Sequence, residues 1–183
     1  RDAVGRFIAA DKLVLGICNG FQVLVKAGFL PGGNGAADAQ AAVGLATITH
    51  NDSGKFEDRW VYLQPGGDNC VFIDPQRQLY LPIAHGEGKV CFRDEATFER
   101  ARTAGQIAFR YVDAAGNYGA YPVNPNGSRD HAAALTDATG RVLGMMPHPE
   151  RFIHRTHHPR WTREDSRDPD GLTIFRNAVR YFA

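Results

Sequence analysis

A chain of 183 residues has the length of one domain, and a composition of 43% hydrophobic and 22% charged residues gives it a sizeable core and excludes a disordered chain. The longest uncharged apolar run, residues 13–18, is far short of the roughly 18 residues that span a bilayer, and no basic segment followed by an apolar stretch opens the chain. A formal net charge of +1, with Lys and Arg scattered, gives no electrostatic ground for a nucleic acid or an anionic membrane as partner. The three cysteines, Cys18, Cys70 and Cys91, are odd in number and widely spaced, which argues against a disulfide framework or a zinc site. That usage is expected of a cytoplasmic protein with reduced thiols.

Residues 1–11 read as the tail of an amphipathic helix, with Val4, Phe7 and Ile8 at helical spacing. They run straight into Leu13-Val14-Leu15, a buried parallel strand over 12–16. The first residue is Arg1 and the first strand has no lead-in, so the chain is expected to lack its first N-terminal elements. Residues 21–27 predict a helix from Phe21, Leu24 and Val25, with Gly28 in the left-handed position that ends it and Pro31 forbidding continuation. A loop from Pro31 to Gly35 and an Ala-rich stretch follow. Strands are expected over 46–50, 59–63, 70–73, 79–84 and 106–112, and a helix over 94–104. Pro122, Pro125 and Gly127 make 121–129 a loop. Short strands over 132–136 and 141–146 flank a turn at 137–140, residues 156–170 read as a surface excursion, and 171–182 closes as a helix with Leu172, Phe175, Val179 and Phe182 on its apolar face. One α/β domain over 1–183 is expected, with helices on a largely parallel sheet and an antiparallel extension.

Two segments carry chemistry. Gly16-Ile17-Cys18-Asn19-Gly20 lies between a strand and a helix, the G-x-C-x-G form of a nucleophile elbow. Small residues two positions either side of the nucleophile let strand and helix approach closely. The thiol is then left exposed at the carboxyl end of the sheet, where open α/β folds bind ligands. Backbone N–H groups at a helix start lower a thiol's pKa, and the Asn19 N–H is placed to stabilise an oxyanion. The bland alternative is a small buried cysteine. Met146-Pro147-His148-Pro149-Glu150-Arg151 follows a strand. His148 there can act as general base for the thiol, and Glu150, two residues on in extended chain, can orient its imidazole. Flanking prolines stiffen the backbone. The alternative is a loop histidine beside an exposed glutamate.

Together, residues 15–22 and 144–151 resemble the class I glutamine amidotransferases, and more closely the glutaminase subunits of phosphoribosylformylglycinamidine synthases of purine biosynthesis. Asn51-Asp52-Ser53-Gly54 with Phe56 and Arg59-Trp60-Val61, then 81–88, 109–112, 124–128 and 175–178 match that family rather than its relatives. The resemblance spans nearly the whole chain. It implies a three-layer α/β/α, flavodoxin-like fold and a glutaminase in which Cys18 attacks the side-chain amide of L-glutamine. His148 then moves the proton, Glu150 orients His148, and a glutamyl thioester is hydrolysed. The ammonia passes to a partner synthetase subunit, with a small accessory subunit in the assembly. No cofactor is implied in this chain; ATP and Mg are used by the synthetase. Substrate binding is implied for Asn19, Gln22 and His85. With the family match, His85-Gly86-Glu87-Gly88 reads as an active-site or partner-facing loop; without it, that run is a tight turn with a solvated Glu and Gln22 a helix-surface residue. Cys70 and Cys91 read as core cysteines, and His154, His157 and His158 as a solvated loop rather than a metal cluster.

Two departures stand out. Asp58 occupies the place where the family usually has Cys, with little effect expected on the chemistry. The family's opening strand–helix unit and Pro-Gly-Gly loop, which supplies a second oxyanion donor, is not present before Cys18. Loss of one such donor costs roughly 10²–10³ in rate, so this chain is expected to be poorly active. Rival readings are another elbow-cysteine α/β protein, such as the intracellular cysteine peptidases and related chaperones, and a non-catalytic subunit that only holds the synthetase.

Overall fold

The computed structural model describes residues 1–32, 39–163 and 168–183. Part of the loop expected from Pro31 to Gly35 and part of the expected surface excursion lie outside them. The helices are α1 (Asp2–Ala9), α2 (Asn19–Lys26), α3 (Ala39–Ala42), α4 (Glu95–Thr103) and α5 (Asp170–Arg180). The strands are β1 (Val14–Ile17), β2 (Ala46–His50), β3 (Glu57–Pro65), β4 (Leu79–His85), β5 (Glu87–Phe92), β6 (Ile107–Val112), β7 (Ala132–Thr136) and β8 (Val142–Met145).

Six strands form one sheet in the order β1-β8-β7-β6-β3-β4, and β2 pairs with β5 in a second, two-stranded sheet. Among the described residues only β1 and β8 run parallel, in the register Val14↔Val142 to Ile17↔Met145. The largely parallel sheet expected from the sequence is corrected here. The β3–β4, β3–β6, β6–β7 and β7–β8 pairs are all antiparallel. For β7–β8 the short turn at 137–140 permits only a hairpin. The alternating directions leave β1, β8, β6 and β4 pointing the same way, so their carboxyl ends share one edge.

The sheet is covered on both faces, which gives the three layers. Along β8, Leu143 and Met145 face a core with Leu63, Leu81, Phe109, Tyr111, Phe152 and Ile174 of α5. Val142 and Met146 face the other core, with Ile8 of α1, Phe21, Leu24 and Val25 of α2, and Phe98 of α4. The period of two is what a strand buried on both sides requires. Phe21 is fully buried, worth about 1.5–3 kcal/mol. It fits because position 144 is Gly: a Cβ there would lie 2.1 Å from Phe21 Cδ2. Helix α2 ends as expected, with Gly28 at φ 80° and the Phe29 N–H donating to the Leu24 carbonyl at 2.9 Å. Helix α4 is capped by Asp94, whose side chain accepts from the Thr97 N–H at 2.7 Å.

Four expectations need correction. Residues 70–73 are not a strand; Cys70, Phe72 and Ile73 are buried, but in turns. A strand not expected, β5, occupies Glu87–Phe92. Helix α5 buries Asp170, Gly171 and Ile174, while Val179 and Phe182 of the expected apolar face are exposed. Close approach decides that face: a Cβ on Gly171 would lie 1.9 Å from the Pro149 carbonyl oxygen, and Asp170 pairs with Arg77 at 2.8 Å and accepts from the Tyr80 N–H at 2.9 Å. On α1, only Ile8 of the expected trio is buried, while Phe7 stands half-exposed.

Candidate active site

The elbow forms as the glycine spacing requires. Cys18 sits between β1 and α2 at φ 51°, ψ −106°, a conformation costly for a residue with a side chain. Its backbone N–H donates to the Met145 carbonyl at 2.8 Å, which ties the elbow to the end of β8. The parallel β1–β8 pair thus delivers Cys18 and the 146–151 segment to the same sheet edge.

His148 leaves β8 and is anchored by its own N–H, which donates to the Pro82 carbonyl of β4 at 2.8 Å. In sheet order β4 lies four strands from β8, roughly 19 Å away if the sheet were flat. The sheet therefore curls until its far strand meets the exit of β8, and His85 at the end of β4 arrives beside the elbow. One cleft of about 560 Å³ gathers Cys18, Asn19, Gln22, His85 and His148, together with Phe56, Glu87 and Arg151.

His148 Nδ1 lies 2.6 Å from Glu150 Oε1. An ionised carboxylate only accepts, so the hydrogen is on Nδ1 and Nε2 keeps its lone pair, the tautomer of a general base. The backbone that achieves this is a 3₁₀ turn over Pro149–Arg151, not the extended chain expected from the sequence. His148 Nε2 is buried and has no hydrogen-bond partner among the described residues. No hydrogen bond therefore joins the thiol to this imidazole nitrogen.

The thiol itself differs from expectation. Its pKa is raised, because burial outweighs the Asn19 N–H and the Arg151 guanidinium, which both favour the thiolate; the Glu150 charge adds to the rise. Proton transfer to an imidazole, rather than a resting thiolate, is the route this environment supports. Gln22 donates from Nε2 to the Glu87 carbonyl at 3.1 Å, bracing α2 against β5. His85 is buried, and its pKa is pushed down to about 4, first by burial and next by the positive charge His148 carries when protonated, with Glu57 opposing.

Asn51, Phe56 and Arg151 stand only within matched segments, with no role in the site expected of them, whereas Glu87 belongs to the His85–Gly88 run expected as an active-site or partner-facing loop. Asn51 stands in a turn-like Asn-Asp-Ser-Gly run, and its buried amide is visible only in the fold. Cys70 is buried, with its thiol pushed up to about 11, whereas Cys91 is only partly buried. His158 is a correction: it is buried against Trp60, ring centroids 4.7 Å apart, rather than solvated. No group of His, Cys, Asp or Glu among the described residues is arranged to hold a metal ion, and no helix among them is long and apolar enough to cross a membrane.

The profile of the CobB/CobQ-like glutamine amidotransferase domain matches residues 1–182. A phosphoribosylformylglycinamidine synthase subunit PurQ of Dehalococcoides mccartyi is 42% identical, over 98% of this chain and 68% of its own length. Its counterpart in Archaeoglobus fulgidus is 40% identical over 99% of this chain and 67% of its own length. A chain in the structure of PurLQS from Thermotoga maritima superposes with a TM-score of 0.66 at 26% identity, covering 97% of this chain and 66% of that one. The chain spans about two thirds of the length of these relatives.

Proposed function

The chain belongs to the family of CobB/CobQ-like glutamine amidotransferase domains, and on that premise we propose that it is the glutaminase subunit of a phosphoribosylformylglycinamidine synthase. It hydrolyses L-glutamine to glutamate and ammonia and delivers the ammonia to a synthetase subunit that makes formylglycinamidine ribonucleotide in purine biosynthesis. The observation that carries the residue roles is the His148–Glu150 hydrogen bond of 2.6 Å at the edge of a cleft that also holds Cys18 on its strained elbow.

His148 Nε2 takes the thiol proton as the Cys18 sulfur attacks the amide carbon of glutamine. The C–S bond forms and the carbonyl π electrons move to oxygen, where the Asn19 N–H lies ready to donate. As the tetrahedral intermediate collapses, the C–N bond breaks and His148 returns its proton to the nitrogen, releasing ammonia. Water, deprotonated by His148 Nε2, then attacks the thioester; the C–S bond breaks, glutamate leaves and His148 returns the proton to the Cys18 sulfur. Glu150 holds the tautomer and stabilises the transient imidazolium. Asn19, Gln22 and His85 bind the substrate. The acyl-transfer steps need no cofactor in this chain; ATP and Mg serve the synthetase, a small accessory subunit completes the assembly, and the enzyme works in the cytoplasm.

The test is Cys18→Ala assembled with the synthetase. Glutamine-dependent amination stops while amination from free ammonia continues. Retained glutamine-dependent activity would overturn the reading.

A further inference from the structure

The cleft contains a second histidine whose hydrogen-bonding state the surrounding groups fix. Asn51 Nδ2 donates to the His85 and Lys55 carbonyls, each at 2.8 Å. Asn51 Oδ1 accepts from the Gly88 N–H at 3.0 Å and lies 3.0 Å from His85 Nδ1. Both amide hydrogens of Asn51 are thus committed to carbonyls, so the atom facing His85 is oxygen and can only accept. His85 therefore carries its hydrogen on Nδ1, and Nε2 bears a lone pair. The site is built tightly around this ring: a Cβ at Gly88 would lie 2.2 Å from His85 Cε1.

His85 Nε2 is buried and has no hydrogen-bond partner among the described residues, and the same holds for His148 Nε2. Both histidines line the same cleft. A buried acceptor left unpaired is destabilising. Two such acceptors in one cleft call for a ligand that brings N–H groups. His148 is engaged in turn by the thiol and the departing ammonia; His85 has no part in that proton transfer.

The side-chain amide of glutamine presents two N–H donors, whereas the carboxylate of glutamate presents none at neutral pH. We propose that His85 Nε2 accepts a hydrogen bond from the glutamine amide N–H and so makes the cleft select the amide over the carboxylate, with Asn51 as the positioning residue that holds the accepting tautomer. This rests on the glutaminase reading and assigns the selective contact within it. It also gives the product a reason to leave. Once the nitrogen has gone, a carboxylate oxygen faces a lone pair, and substrate and product differ in affinity for the same site. A burial-lowered pKa keeps His85 neutral and accepting at working pH.

The test uses the chain labelled with ¹⁵N-histidine, carrying Cys18→Ala to stop turnover, titrated with glutamine and separately with glutamate. Before ligand is added, the His85 Nε2 resonance lies at the unprotonated end of its range. Glutamine shifts it toward the hydrogen-bonded position and glutamate does not. Adding His85→Ala lowers the preference for glutamine by about tenfold, mostly by weakening glutamine, in line with loss of one buried hydrogen bond. Asn51→Asp places a carboxylate against Nδ1, favours the doubly protonated ring and turns Nε2 into a donor, so the preference shifts further toward glutamate. An unmoved Nε2 resonance on glutamine binding, or an unchanged preference in His85→Ala, would overturn the proposal. Should His85→Ala fail to fold, the resonance of the otherwise intact ring decides. The glutaminase reading fails separately, and takes this proposal with it, if the chain with Cys18 intact neither hydrolyses nor binds glutamine.

Discussion

Gly16 and Gly20 pack backbone against backbone across the elbow: a Cβ on Gly16 would lie 2.8 Å from the Gly20 carbonyl carbon and oxygen, and 2.5 Å from Leu24 Cδ1. Gly20 has open space where its own Cβ would point, so the steric demand at the elbow falls on Gly16. Gly16→Ala must push α2 away from β1 or bend Leu24 out of its core. The expected cost is about 1–3 kcal/mol of stability, read as a lower midpoint in urea unfolding. Gly20→Ala, which meets nothing, serves as the contrast and stays close to wild type.

Glu150 acts through His148. Glu150→Gln keeps the size and an accepting oxygen but removes the charge that stabilises the imidazolium, and its NH₂ can donate to Nδ1 and so no longer fixes the Nδ1–H tautomer. A fall in kcat of about 10²–10⁴ with little change in KM is expected, measured as glutamate release. An unchanged kcat would remove Glu150 from the mechanism.

The environment of Cys18 gives two shifts of opposite sign. The Arg151 guanidinium favours the thiolate and the Glu150 carboxylate disfavours it. Arg151→Gln therefore raises the thiol pKa further and slows alkylation by iodoacetamide at a fixed pH near 8. Glu150→Gln lowers it and speeds alkylation, although it slows catalysis. Rates that moved in the same direction would contradict the electrostatic account. Cys70, buried and with its thiol near 11, stays unlabelled in the folded protein.

His85 makes stability depend on pH. Its folded pKa is about 4 against an ordinary value of 6.5, so between those values the unfolded chain binds a proton that the folded one refuses. The stability contribution is intact above pH 6.5 and is lost as pH falls toward 4, by about 3 kcal/mol in all. His85→Gln cannot titrate. Unfolding midpoints followed from pH 7 to pH 4 should fall less steeply for the variant, and parallel curves would show that His85 is protonated in the fold.

What the sequence revealed follows from how local each feature is. The β1–α2 unit was legible because the short apolar strand, the glycines at 16 and 20, the helical spacing of Phe21, Leu24 and Val25, and the stop at Gly28 all agree. Cys18, Asn19, Gln22, His85 and His148 do meet in one cleft, with Glu150 bonded to His148. The strand over 87–92 was hidden because Gly86 and Gly88, on either side of Glu87, read as a turn. The buried face of α5 was hidden because it rests on Gly171 and an ion-paired Asp170, while the larger apolar residues Val179 and Phe182 point outward. Asn51 was hidden for a different reason. Its role depends on a tertiary approach of residues 37 positions apart, Asn51 and Gly88, which no local pattern encodes. Curling of the sheet, which carries β4 to the exit of β8, is likewise a property of the whole assembly.

The most direct test of the central claim is intact-mass analysis after treatment with a diazo ketone analogue of glutamine. The analogue occupies the substrate position and alkylates an activated thiol with loss of dinitrogen. One adduct per chain is expected, located at Cys18, suppressed by excess glutamine, absent in Cys18→Ser and strongly slowed in His148→Ala. Labelling that survives Cys18→Ser, or that glutamine does not suppress, would contradict it.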